Sequence, residues 1–157
     1  MGNTIYTKTL NQVIVVAKTI SGIGNDRAFQ GYHRFKDSEN FEDMITRLTP
    51  YTQGYFLADL GPCTREYLGT PGFTVKGSLY ISAPKDDSST LDAAYDFADS
   101  LANALSLPSN FIEADSALAL PKRVRWAPYQ MDSHKSKGVF IFDFGHYGAG
   151  EISFIDP

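Results

Sequence analysis

Between residues 72 and 82 apolar and polar side chains alternate. Phe73, Val75, Leu79 and Ile81 fall on one side of an extended chain, and Thr74, Lys76, Ser78, Tyr80 and Ser82 on the other. A period of two predicts a strand buried on one face. The next apolar positions change period: Leu91, Ala94, Tyr95, Ala98, Leu101, Ala102 and Leu105 recur at helical spacing, behind Ser89 as a cap with Asp92 three residues on. The joint between them, with Pro84, Asp86 and Asp87, ends the strand and sets acid near the positive end of the helix dipole. A strand and a helix joined this closely are expected to pack their apolar faces together.

Residues 4–18 carry Tyr6, Leu10, Val13 or Ile14, and Ala17 on one helical stripe, which predicts a helix despite the β-branched run VIVV. SGIGND (21–26) reads as a loop, and RAFQGYHRF after it has no clear period. FEDMITRL places Phe41, Met44, Ile45 and Leu48 on one side of a short helix that ends near Pro50. GYFLADL (54–60) is strand-like and bounded by Gly-Pro. Two long connections follow, GPCTREYLGTPG (61–72) and residues 106–121 with Phe111, Ile112, Leu118 and Leu120; loops of such length are commonly functional or mobile. Residues 123–129 and 138–145 form a predicted hairpin across QMDSHKSK. A flexible tail is expected from about residue 146, ending in a strand-like piece at 152–155.

These elements predict one α+β domain over residues 1–157: a mostly antiparallel twisted sheet of about four strands with two or three helices packed on one face. The strand GVFIFDFG breaks the simple pattern. Val139 and Ile141 are apolar on one face, Phe140, Phe142 and Phe144 on the other, so both faces ask for cover. Apolar surface left over after the helices have packed would mark an interface, with loops or with another copy of the chain.

Composition narrows the function classes. A chain of 157 residues is long enough to bury roughly 70% of its unfolded surface without staples. Lysine and arginine number 14 against 18 acids, for a net charge of −4, and no basic block stands out, which disfavours direct DNA binding. A lone Cys63, the absence of any Asn-x-Ser/Thr site and a first stretch (MGNTIYTKTL) unlike a signal peptide suggest folding in a reducing cytoplasm. The longest apolar run, VIVVA, is far short of the roughly 20 residues of a membrane span, so no membrane partner is expected.

The candidate chemistry is thin. Asp92, Asp96 and Asp99 share one helix face, yet metal sites draw oxygen ligands from several elements, and a solvated acidic face is the plainer reading. Cys63 with His33, His134 or His146 has no local signature of a nucleophile pair and reads first as an inert thiol. Arg27, His33 and Arg34 suit an anion but also suit stems packed beside aromatics. SGIG is too short to cradle a phosphate. Lys122, Arg123 and Arg125 beside Trp126 are a small basic cluster whose plainer use is a charge pair with the Asp143 strand. An aromatic pocket around Tyr32, Phe35, Tyr55 and Phe56 would suit a small ligand. No metal, cofactor or catalytic set is assigned, and a small hydrolase or nuclease built on Cys63 or His33 with the Asp cluster is the rival from the enzyme class.

From about Asn40 onward the order FEDMITRL, YFLADLGP, CTREYLGTPG, GSLYISAP, LDAAYDFADSLANAL, RVRWAPY and GVFIFDFG resembles the tail-terminator, or tail-completion, proteins of long-tailed bacteriophages. The resemblance implies a non-enzymatic virion protein, assembled in the host cytoplasm, whose copies form a hexameric ring. That ring caps the tail tube protein, stops its polymerisation and gives the head-tail connector or neck proteins a surface to join. DNA would pass through its lumen without sequence-specific binding. The resemblance places subunit or tube contacts at Arg65, Glu66, Tyr67 and Leu68, at Phe111 and Ile112, and at Ile152 and Phe154, where the tail would add a strand to a neighbouring sheet, and the apolar pattern of GVFIFDFG adds Phe140, Phe142 and Phe144 to the expected interface. Another head-tail joining protein of the neck is the alternative within the same class.

Overall fold

A computed structural model describes residues 5–30, 53–65, 71–83, 88–113, 116–117, 120–131, 138–144 and 152–155. The chain opens with helix α1 (Ile5–Lys18), whose Leu10, Val13, Ile14, Val16 and Ala17 are buried. It ends in a tight turn: Thr19 Oγ1 donates to the Val16 carbonyl at 2.6 Å, and Gly22 and Gly24 take φ of 96° and 67°, which side chains disfavour. That turn delivers strand β1 (Ala28–Gln30), which runs parallel to β2 (Gly54–Arg65) with Ala28 opposite Phe56. Three residues of strand without a period left no mark in the sequence pattern.

Strand β2 turns back into β3 (Pro71–Ala83) as an antiparallel hairpin. Here the expected long connection over 61–72 is corrected, because pairing continues through Cys63 opposite Phe73, Thr64 opposite Gly72 and Arg65 opposite Pro71. Gly61 and Pro62 do not end the strand; the register shifts between Leu60 and Cys63, a bulge that absorbs them. Thr74 Oγ1 donates to the Pro62 carbonyl at 3.3 Å across the hairpin.

Helix α2 (Ser88–Ser106) follows, then a 3-10 turn (Pro108–Phe111), a two-residue pair β4 (Ile112–Glu113) and β5 (Ser116–Ala117), and strands β6 (Leu120–Arg123), β7 (Trp126–Met131), β8 (Gly138–Phe144) and β9 (Ile152–Ile155). Among the described residues the main sheet has seven strands rather than about four, ordered β1-β2-β3-β8-β7, with β9 between β3 and β6. Phe144 stands opposite Gly77 and Ile152 opposite Val75, so β8 and β9 occupy consecutive stretches of one flank of β3. Beyond them β7 and β6 do the same, with Trp126 opposite Phe144 and Pro121 opposite Phe154. Among the described residues only the β1–β2 pairing is parallel, so the α+β architecture with a mostly antiparallel sheet stands.

One core lies between the helices and one face of the sheet. Val75, Leu79 and Ile81 from β3, Phe56 and Ala58 from β2, and Phe142 and Phe144 from β8 meet Leu10, Val13 and Ala17 of α1 and Ala94, Ala98, Leu101 and Leu105 of α2. Of the alternation read in 72–82, Val75, Leu79 and Ile81 therefore point where expected, while Thr74 of the polar set is buried as well. Gly77 interrupts that stripe, and the Phe56 ring fills the space: a Cβ built on Gly77 would lie 2.5 Å from Phe56 Cζ. Phe56 in turn meets Phe144 edge to face, centroids 6.0 Å apart. Phe142 is held between Trp126 at 5.5 Å and Tyr95 at 6.0 Å, both edge to face. On the opposite face Tyr55 and Leu57 are also buried, and Phe29 stacks on Tyr55 at 6.2 Å.

The two helices are tied by a polar contact below α2. Asn110 Nδ2 donates to the Ala104 carbonyl at 2.7 Å, satisfying one of the last helical acceptors, and the Asn110 carbonyl accepts from Gln12 Nε2 of α1 at 2.7 Å. Asn110→Ala removes the first of these bonds and leaves the second, which uses the main chain. The expected loss is about 1 kcal/mol of unfolding free energy, measured by urea denaturation; a change below about 0.3 kcal/mol would mean that water serves Ala104 equally well. The short helix expected at 41–48 and the loop 132–137 lie outside the described residues.

Candidate functional site

Sequence reasoning spread its interface residues over five elements, and the fold does not gather them into one surface. Phe111, Phe142 and Phe144 are fully buried in the chain's own core, which corrects their assignment to a subunit contact. The reason is helix area: α1 and α2 together cover the face on which Phe142 and Phe144 stand. Phe140 lies on β8 opposite Ile81 and Gln130, with strands on both sides. The strand addition expected at Ile152 and Phe154 is corrected as well. They pair within the chain's own sheet, Ile152 with Val75, and Phe154 with both Phe73 and Pro121, so β9 has no free edge with which to extend a neighbour's sheet. That strand also replaces the flexible tail over 152–155. Arg65 ends β2 opposite Pro71, while Glu66, Tyr67 and Leu68 lie outside the described residues. Of the expected contacts whose side chains are described, Ile112 is exposed, at 52%.

The candidates for chemistry disperse in the same way. Cys63 sits on β2 just past the bulge, opposite Phe73, and His33, Arg34, His134 and His146 lie outside the described residues. So do Tyr32 and Phe35 of the expected aromatic pocket; its other members are divided, Phe56 facing the helices and Tyr55 on the opposite face. Arg27 donates from Nη1 to the Ile23 carbonyl at 3.4 Å, a local bond that steadies the turn before β1. Among the described residues no three His, Cys, Asp or Glu side chains group as a metal site, and no helix is long and apolar enough to cross a membrane. One buried polar atom, Thr9 Oγ1 in α1, has no hydrogen-bond partner.

Two charged surfaces remain, and both are open. Asp92, Asp96 and Asp99 are exposed along one face of α2, on the turns that also present exposed Ser100 and Asn103. Tyr95, on the flank next to them, reaches Trp126 at 6.2 Å, so the acidic face borders the side of the molecule where β7 lies. Among the described residues β6 and β7 pair on one side only, which makes them a sheet margin. Val124 and Trp126 pack against the core, whereas Arg123 and Arg125 are exposed. The expected charge pair with the Asp143 strand is not in register: Ala127 stands opposite Asp143, and Arg123 opposite Ser153. Neither arginine pairs with an acid among the described residues. The edge position was available from sequence in Pro121 and Pro128, because a proline that cannot donate to a ladder belongs on an outer strand.

No protein-family model matches this sequence, and no curated protein matches it either.

Proposed function

We propose that the chain is a structural subunit of a ring that closes the tail tube of a long-tailed bacteriophage, halts tube growth and offers the head connector or a neck protein a face to join. The observation that carries this reading is the succession of a hairpin (β2–β3), a helix (α2) and a second hairpin (β7–β8) in one sheet with both helices on the same side. These are the described members of the order on which the resemblance to tail-terminator proteins rests; the FEDMITRL helix of that order lies outside the described residues, and the ends of its CTREYLGTPG connection belong to β2 and β3. A two-layer subunit of this kind, with different surfaces front and back, suits a head-to-tail contact that closes by rotation. In this reading the role is non-enzymatic, the partners are further copies, the tail tube and the connector, and DNA passes through the lumen without being read.

Purified protein is expected to form closed rings in negative-stain images, alone or when mixed with tail tubes. A strictly monomeric species that never bound a tube would overturn the reading. Tail length in particles lacking the protein separates termination from joining. Tails that run on mark a terminator, whereas tails of normal length detached from heads mark a joining subunit.

A further inference from the structure

We infer that the two exposed charge stripes of this subunit are the halves of one intermolecular contact: the basic sheet margin at Arg123 and Arg125 of one copy docks on the acidic α2 face, Asp92, Asp96 and Asp99, of another. The inference rests on the ring reading for the stoichiometry it expects, and on the fold alone for the contact.

Three observations lead to it. First, all five side chains are exposed and none is ion-paired with a described residue, so the charges are available. Second, β6 and β7 form a strand edge whose backbone groups pair on one side only among the described residues, and such edges are places where another chain docks. Pro121 and Pro128 interrupt its donors, which disfavours strand-to-strand addition and leaves side chains as the means of recognition. Third, each stripe is compact: Arg123 closes β6 and Arg125 lies in the two-residue joint before β7, and positions three or four apart on a helix lie about 5–6 Å apart, which is the repeat of Asp92, Asp96 and Asp99.

The occupant follows from charge. The chain carries an excess of acid, with 18 acidic against 14 basic residues, so this basic margin is an exception on an acidic molecule and meets its complement on a copy of itself. Exposed ion pairs individually add little affinity, so their part here is orientation and selectivity: like-charged faces are excluded and one register is favoured. A contact made this way should weaken as salt rises and shortens the Debye length.

Reversing each side of the contact tests it. Arg123→Glu with Arg125→Glu makes both surfaces acidic; Asp92→Lys, Asp96→Lys and Asp99→Lys makes both basic. Each set is on exposed positions, and unchanged far-ultraviolet circular dichroism and melting confirm the fold. By light scattering after gel filtration, each variant alone should lose the assembly that wild type forms, and an equimolar mixture should regain it, because acidic margin then meets basic helix and the reverse. Assembly by either variant alone overturns the contact and leaves the ring reading standing. Loss in both without recovery on mixing also overturns it. A mixture that stops at a dimer upholds the contact and overturns the ring. A wild type that stays monomeric at every concentration and low salt overturns the contact, and the ring reading falls with it if that monomer also never binds a tail tube.

Discussion

Phe142→Ala is expected to destabilise the protein by about 3–5 kcal/mol, the range for deleting a fully buried aromatic ring. Phe142 has no exposed surface, and its ring touches both Trp126 of β7 and Tyr95 of α2 edge to face. Its loss therefore opens a cavity at the place where helix, sheet interior and sheet margin meet. For a chain of this length each kcal/mol lowers Tm by about 2–4 °C, so a fall of about 6–20 °C should be seen by calorimetry. Phe142→Leu keeps most of the volume and should cost less than half as much. A loss below about 1 kcal/mol for Phe142→Ala would mean that the strand does not lie under α2 as described. Had Phe142 faced a sister subunit, the same substitution would instead reduce assembly and leave the melting of the isolated subunit unchanged.

Gly77→Ala is the second large effect, and it is one of overpacking. An added methyl would meet the Phe56 ring at 2.5 Å from Cζ and 2.7 Å from Cε1, distances at which something must move. Phe56 is itself fully buried and fixed against Phe144, so the ring has little freedom to swing away. The expected cost is about 1–3 kcal/mol, although alanine elsewhere in a strand interior usually improves on glycine. A double-mutant cycle identifies the cause. In a Phe56→Leu background Gly77→Ala should cost at least about 0.5 kcal/mol less than in wild type. Additive effects would place the strain somewhere other than the Phe56 ring.

The parts of this fold that were legible in sequence are those whose pattern is local. Val75, Leu79 and Ile81 announced a one-sided strand, and Ala94, Ala98, Leu101 and Leu105 announced the helix that covers it; all seven are buried together. The parts that were not legible depend on what a segment meets after folding. Gly61-Pro62 looks like a strand terminator, but at a sheet position where a bulge is tolerated the same pair is carried inside β2. ISFI carries an alternation too short to name its partner, and nothing in residues 152–155 says that they slot between β3 and β6 rather than between molecules. The phenylalanines of GVFIFDFG ask for cover on both faces, and only the packed helices reveal that Phe142 and Phe144 are already served within the chain. The charged residues were seen and given their plainer meanings. What sequence did not supply was their placement, with Arg123 and Arg125 on an outer margin and no acid opposite them.

The position of β9 has a consequence for how the protein comes into being. Every other strand precedes Ile152 in the chain, so a ribosome has already delivered them when this one emerges. Among the described residues β6 pairs with β9 alone, so until β9 is in place residues 72–75 of β3 keep an unpaired flank and residues 120–123 have no strand to join. Translation thus imposes an order in which the sheet is sealed by the last of its described strands, and a chain truncated before Ile152 leaves that flank of β3 open to its neighbours.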